Sequence, residues 1–306
     1  MHSRRLRHFL AVYSQRSLAR AAEQLHVTQP ALSKSIQQLE DELRVALFER
    51  TPLGMVPTRY ADALQLHARV IEAEMQNAAR EIAALAGASG GELTVGVTPS
   101  VAADLVPRAF AALQATRPGL RLNVIEGLME HHVPALRRGE LDLVVGGAVR
   151  DAAPDLAAEI VLTDAVRVYA RAGHPLSRGA RVLPEQLLGH PWVLPPRTQC
   201  WLAELDRAFV ARGQPPPVPA AVTNSASFIR AMQLRGDYLS ALPAQLLAAD
   251  VRAGTLAALP VAGLALGVDI VATYRARAVR LPAFDALLQA LRGCGAVASA
   301  PQSACG

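Results

Sequence analysis

"VTQPALSKSIQQLEDEL", residues 27–43, decides the fold of the first sixty residues. Leu32, Ile36, Leu39 and Leu43 recur at steps of three and four, which puts them on one stripe of an α-helix. Thr28 occupies the position of an N-cap, and Pro30 falls in the first turn, where its missing N–H costs little. Pro30, Ser33, Lys34 and Gln37 take the stripe opposite the apolar one, with Thr28 and Gln29 at its tip. Lys34 is the one lysine in a chain whose Lys and Arg total 31.

Upstream, Leu6, Phe9, Leu10 and Tyr13, then Leu18, Ala21, Ala22 and Leu25, mark two more short amphipathic helices. Ser17 is placed to cap the second of them. Only "LHV", residues 25–27, separates helices two and three, and the small Ala21 and Ala22 on the inner face permit close approach. That is the requirement of a helix-turn-helix, whose second helix enters the major groove of DNA by its N-terminal end. Gln29 and Gln37 suit adenine edges, Ser33 is permissive, and Lys34 suits guanine or phosphate. Periodicity alone leaves a second reading open, a three-helix bundle with a solvated polar face.

Charge leans toward the first reading. Residues 1–60 hold nine Lys/Arg against five Asp/Glu, within a chain of net charge +5, so the positive excess is concentrated where a polyanion would bind. The 306 residues exceed one ordinary core. Half the residues are hydrophobic, yet no run reaches the length of a membrane span, and "MHSRRLRHFL" lacks a secretory apolar core, which predicts a cytoplasmic protein with no membrane partner. Cys200, Cys294 and Cys305 are too scattered for a disulfide framework or a metal site.

Residues 59–91 read as a linker helix and hinge. Leu64, Ala68, Ile71, Met75, Ala78, Ile82 and Leu85 alternate steps of four and three, a heptad seam suited to pairing two chains. Gly87, Gly90 and Gly91 then interrupt the helix. From residue 92 onward strand-like runs ("LTVGV", "LRLNVI", "LDLVVG", "WVL", "PAAV", "YLSAL") alternate with helical ones, a rhythm of parallel sheets with crossover helices. Two stretches without a neat helical partner predict chain crossings between two lobes near 163–167 and 264–268.

Ligands of such sheets lie beyond the carboxyl ends of strands. That rule selects Thr98, Pro99 and Ser100, then Glu126, Gly127 and Leu128, then Gly146 and Gly147. In the second lobe it selects Pro195, Pro196, Arg197 and Thr198, Asn224, Ser225 and Ser227, and the run from Ser240 to Leu242. Ser100 as an anion-site hydroxyl and Arg197 as a charge partner would suit a carboxylate or sulfonate, and helix capping is the competing reading of each hydroxyl. No Gly-x-Ser-x-Gly, phosphate loop, dinucleotide fingerprint or His-Glu-x-x-His occurs, so a catalyst is not expected. His131 and His132 are adjacent rather than spaced as metal ligands and read as solvated or capping residues. A stand-alone solute-binding protein would lack the N-terminal module.

"SLARAAEQLHVTQPALSKSIQQLEDEL", followed by "LFER" and "GMVPT", resembles the N-terminal winged helix-turn-helix of the LysR-type transcriptional regulators, and "LRRGELDLVVGG" is similar to a recurrent joint in their second domain. The resemblance implies that Thr28, Gln29, Pro30, Ser33 and Lys34 face an operator. It also implies a wing over residues 50–57 that lacks the usual basic tip apart from Arg50. It further implies an α plus α/β architecture: a winged helix-turn-helix at 1–58, the linker at 59–91, and a two-lobed effector domain at 92–306 like a periplasmic binding protein. Lobe I would take about 92–163 and 268–295, and lobe II about 164–267. A small-molecule co-inducer without other cofactor or metal, a dimer of dimers and an encounter with RNA polymerase follow from the same resemblance. One branch of that family senses peroxide with a nearby cysteine pair. Cys200 has no such neighbour in sequence, so an inert thiol is expected.

Overall fold

The computed structural model describes residues 3–52, 54–85, 91–148, 154–264, 266–278 and 280–299. The chain divides into two compact units, Met1–Ala88 with Pro134–Leu141, and Ser89–Val133 with Asp142–Gly306.

In the first unit, α1 (Ser3–Gln15), α2 (Leu18–Gln24) and α3 (Gln29–Leu43) precede a hairpin of β1 (Phe48–Thr51) and β2 (Gly54–Pro57), and α4 (Arg59–Leu85) follows. Ser17 caps α2 by accepting from Arg20 N. Thr28 differs from expectation: its backbone is extended as an N-cap requires, but its side chain makes no capping bond, which leaves the hydroxyl to solvent. Phe9, Ala21, Leu32 and Leu39 have no exposed surface and form the shared core, against which Phe48 stacks 5.6 Å from the Phe9 ring. Leu43, the fourth member of the expected stripe, is exposed.

Two contacts fix the wing. Glu40 on α3 accepts from Leu47 N and Phe48 N at 2.7 and 3.1 Å, pinning the start of β1. Met55 N donates to Arg16 O, and a Cβ on Gly54, whose φ is +117°, would lie 2.5 Å from that oxygen. Glycine at 54 is therefore needed for both the turn and the approach.

On α4, Leu64 is half-buried and Ala68 fully buried in the N-terminal core, so these two residues of the expected seam are used within the unit. Ile71, Met75, Ala78 and Ile82 are exposed, as are Leu66 and Val70 on another face. The side chain of Leu85, and Gly87 and Gly90, lie outside the described residues.

The second unit begins with β3 (Glu92–Val97), α5 (Pro99–Ala102), α6 (Leu105–Thr116), β4 (Arg121–Glu126) and β5 (Leu143–Gly147), and α7 (Met129–Arg137), between β4 and β5 in the chain, is divided between the units after Val133. Then come β6 (Leu156–Arg171), α8 (Pro184–Leu187), β7 (Trp192–Leu194), α9 (Cys200–Val210), β8 (Pro219–Val222) and α10 (Ala226–Arg235). β9 (Ser240–Pro243), α11 (Ala244–Arg252), β10 (Leu256–Ala258), β11 (Leu266–Arg275) and α12 (Pro282–Ser299) complete it.

The sheet is mixed, where the sequence rhythm predicts parallel strands. β4, β3 and β5 run parallel, but β11 is antiparallel to both β5 and β6, and β6 is antiparallel to β9 and β10, while β7 and β8 pair in parallel as a separate two-stranded sheet. The difference comes from the long strand β6, which pairs with β11 up to Val166 and with β9 and β10 beyond it, so one strand serves two sets of neighbours. Strand direction is set by such long-range partners and leaves no mark on a strand's own residue pattern.

His174 is fully buried with its ring 4.5 Å from that of His190. Its Nδ1 accepts from Leu176 N at 3.1 Å, which requires the neutral ring. Burial, then the neighbouring His190, holds its pKa below the ordinary histidine value. The unfolded chain therefore takes up this proton first as pH falls, and the stabilisation present above about 6.5 is lost below it. We expect the melting temperature to drop between about pH 6.5 and 5, with a shallower slope in His174→Gln.

Candidate functional site

Two surfaces carry the predicted residues, one in each unit. On the first, Thr28, Gln29, Pro30, Lys34 and Gln37 are exposed on one side of α3 while Leu32, Ile36 and Leu39 are buried on the other. The tight turn before α3 closes through Val27 N donating to Ala22 O at 3.0 Å, with His26 in the left-handed conformation. This is the geometry in which the N-terminal end of a second helix projects from its scaffold. Ser33 is half-buried and differs from its neighbours: its Oγ accepts from Arg50 Nη2 at 2.9 Å. Ser33, Gln37, Glu40 and Arg50 together line a cleft between α3 and the hairpin. The pairing of Arg50 with Ser33 was invisible in the sequence, since 17 residues separate them.

On the second unit, the parallel registers Val97↔Glu126 and Val97↔Val145 bring the carboxyl ends of β3, β4 and β5 side by side. Thr98, Pro99 and Ser100 leave β3, with the Thr98 and Ser100 hydroxyls 3.4 Å apart and Ser100 buried. Glu126 is exposed, and Gly127 and Leu128 are half-buried. A Cβ on Gly146 would lie 2.6 Å from Thr98 Cγ2 and 2.8 Å from Met129 Sδ, so glycine there lets these two side chains close over the strand end. Gly147 faces open space.

His132 corrects the expectation of a solvated residue. It is 3% exposed, its Nε2 lies 3.1 Å from Val97 O, and its ring packs under Gly127. Its burial, and the place of Met129, depend on α7 folding back under the strand ends, which residue spacing did not reveal.

In the second lobe, the parallel pair β7 and β8 sets Pro195, Pro196, Arg197 and Thr198 beside Asn224 and Ser225. Arg197 forms an ion pair with Asp206, so its charge is already compensated. Ser225 caps α10 by accepting from Phe228 N and lies 3.0 Å from the Ser227 hydroxyl, the capping reading of that residue. Ser240 is a correction: it begins β9 instead of following it, is fully buried and faces Tyr169 across the ladder. Ala241 and Leu242 share that burial.

Where β6 changes partners, Asp164 is buried and accepts from Gln245 N and Nε2 at 3.2 and 3.4 Å. Burial holds its carboxyl above the usual carboxylate range, partly offset by those bonds. Cys200 opens α9, with its side chain outside the described residues. Among the described residues no group of His, Cys, Asp and Glu could hold a metal ion, and no helix is long and apolar enough to cross a membrane.

Residues 3–62 match the family described as "Bacterial regulatory helix-turn-helix protein, lysR family", and residues 86–294 match "LysR substrate binding domain". The chain belongs to the LysR family of transcriptional regulators. Relatives of this LysR-family regulator include the transcriptional regulator PcaQ of Agrobacterium fabrum, 34% identical over 84% of this chain and 83% of that one. GalR of Pseudomonas putida is 30% identical over 95% of this chain and 73% of that one. A full-length OxyR variant from Pseudomonas aeruginosa matches with a TM-score of 0.69 at 25% identity, covering 95% of each chain. CbnR, solved in complex with its target DNA, shares the fold with a TM-score of 0.73 at 22% identity, over 96% of this chain and 100% of that one. The LysR-family protein thus couples a DNA-binding helix-turn-helix to a two-lobed α/β effector-binding domain.

Proposed function

We propose that this regulator grips a two-fold operator as a dimer, and as a dimer of dimers, in the cytoplasm, without catalysing a reaction. The observation that carries the DNA reading is the exposed polar face of α3 set on a buried apolar one. Thr28, Gln29, Pro30, Ser33, Lys34, Gln37 and Arg50 are its candidate contacts. CbnR, with the same fold, has been solved on its target DNA, which supports the same partner here. The exposed Ile71, Met75, Ala78 and Ile82 of α4 supply an apolar stripe for the second chain.

The domains proceed from a helix-turn-helix at 1–58 through the linker at 59–91 to an effector domain at 92–306, with lobes at about 92–163 plus 268–295 and at 164–267. A small organic anion enters between those lobes beside Thr98, Ser100 and the Pro196–Thr198 and Asn224–Ser225 loops. Its binding shifts lobe packing, and thereby operator spacing, DNA bend and the access of RNA polymerase.

Lys34→Ala tests the DNA reading. We expect it to weaken binding to a selected operator by about 1 to 3 kcal/mol while sparing random DNA. An equal loss on random DNA would make Lys34 a phosphate contact. A thermal-shift screen of carboxylates and sulfonates tests the effector reading: a ligand present at about 100 times its dissociation constant adds roughly 2.7 kcal/mol to the folded state. Ser100→Ala should remove that shift and spare operator binding, and a shift unchanged in that variant would overturn the assignment.

A further inference from the structure

Resting on the DNA reading above, we infer that Ser33 is a positioning residue for Arg50, and that the Arg50 guanidinium is a specificity-determining contact in the groove. The pleat of β1 puts Arg50 on the same side as Phe48, which is buried against α3 and α1, while Glu49 lies on the other side opposite Val56. Arg50 is thereby turned toward the recognition helix, where its Nη2 donates to Ser33 Oγ at 2.9 Å. The wing's sole cation is thus not carried outward along the hairpin toward a neighbouring backbone.

Glu40, the acid on this side of α3, has an oxygen engaged by Leu47 N and Phe48 N, and no ion pair with Arg50 occurs among the described residues. One edge of the guanidinium is held by a hydroxyl and the rest of an exposed, uncompensated fork lies beside Gln37 in the cleft. A fork whose rotamer is already fixed loses less freedom on binding. Its geometry matches the O6 and N7 acceptors of guanine, which a planar guanidinium engages through two hydrogen bonds. Ser33 therefore contributes to sequence choice by aiming Arg50.

The test uses the full-length protein. Preferred duplexes are selected from a randomised pool, and binding of the wild type, Ser33→Ala, Ser33→Thr and Arg50→Lys is measured on the selected duplex, on each of its single base-pair variants and on random duplex, over a salt series. Arg50→Lys and Ser33→Ala should lose preference at the same base pair of each half-site by about tenfold or more, with melting temperatures unchanged. Ser33→Thr, which keeps the hydroxyl, should restore the preference. The protein carrying both Ser33→Ala and Arg50→Lys, measured in the same series, should be no worse than Arg50→Lys alone, because the two residues act through one contact.

An equal loss on selected and random DNA, with the salt slope reduced by about one, would overturn the proposal in favour of a phosphate contact. Preference retained in Ser33→Ala and Arg50→Lys would also overturn it and leave the DNA reading intact. Failure of the wild type to enrich any motif would overturn both.

Discussion

Leu39→Ala is expected to unfold the DNA-reading unit while leaving the effector domain folded. Leu39 has no exposed surface and packs in a core with Phe9, Leu32 and Leu47. Truncating a buried leucine removes its transfer free energy and leaves a cavity, a cost of about 2 to 5 kcal/mol. A small domain has little stability to absorb that loss, and each kcal/mol lowers its melting temperature by about 4 to 8 °C. The core of the second unit contains none of the same residues. Calorimetry of the full chain should therefore show one transition displaced downward by about 10 °C or more and another unmoved, with operator binding lost at the working temperature. A variant with both transitions and DNA affinity at wild-type values would refute the packing argument.

The double substitution Ile71→Asp with Met75→Asp is expected to separate the chains. Both residues are exposed on α4, at 38% and 47%, so charge there costs the isolated helix little. In a paired seam, however, four carboxylates would be brought from water into an apolar contact. We expect a monomer in sedimentation and unchanged helix content. Affinity for a two-fold operator should fall by about a hundredfold or more, because the second half-site is no longer bound at high effective concentration. A variant that stays dimeric would move the seam to another face of α4, where Leu66 and Val70 are also exposed.

The helix-turn-helix was legible because its information is local. Apolar spacing located α1, α2 and α3, Ser17 caps as its position predicts, and the small Ala21 and Ala22 are buried where two helices meet. The heptad on α4 was legible in pattern but not in assignment. Its first two members, Leu64 and Ala68, serve the N-terminal core, and a repeat of apolar residues does not say which neighbour it will meet.

Hydroxyls were the least legible features. Ser100, Ser225 and Ser240 all lay near strand ends in the sequence, yet one lies buried 3.4 Å from Thr98, one caps a helix, and one is buried inside a strand. A serine's role depends on which donor or acceptor comes within about 3 Å, and for residues far apart in the chain only folding decides that.

By itself the sequence determined the three short helices of the N-terminal unit and the polar face of α3, because each follows from residue periodicity and local capping chemistry. Only the tertiary structure decided the mixed direction of the sheet, the burial of His132, and the bond from Arg50 to Ser33. Those depend on contacts between segments distant in the chain, whose closeness is set by the packing of the whole core and leaves no trace in the spacing of the residues themselves.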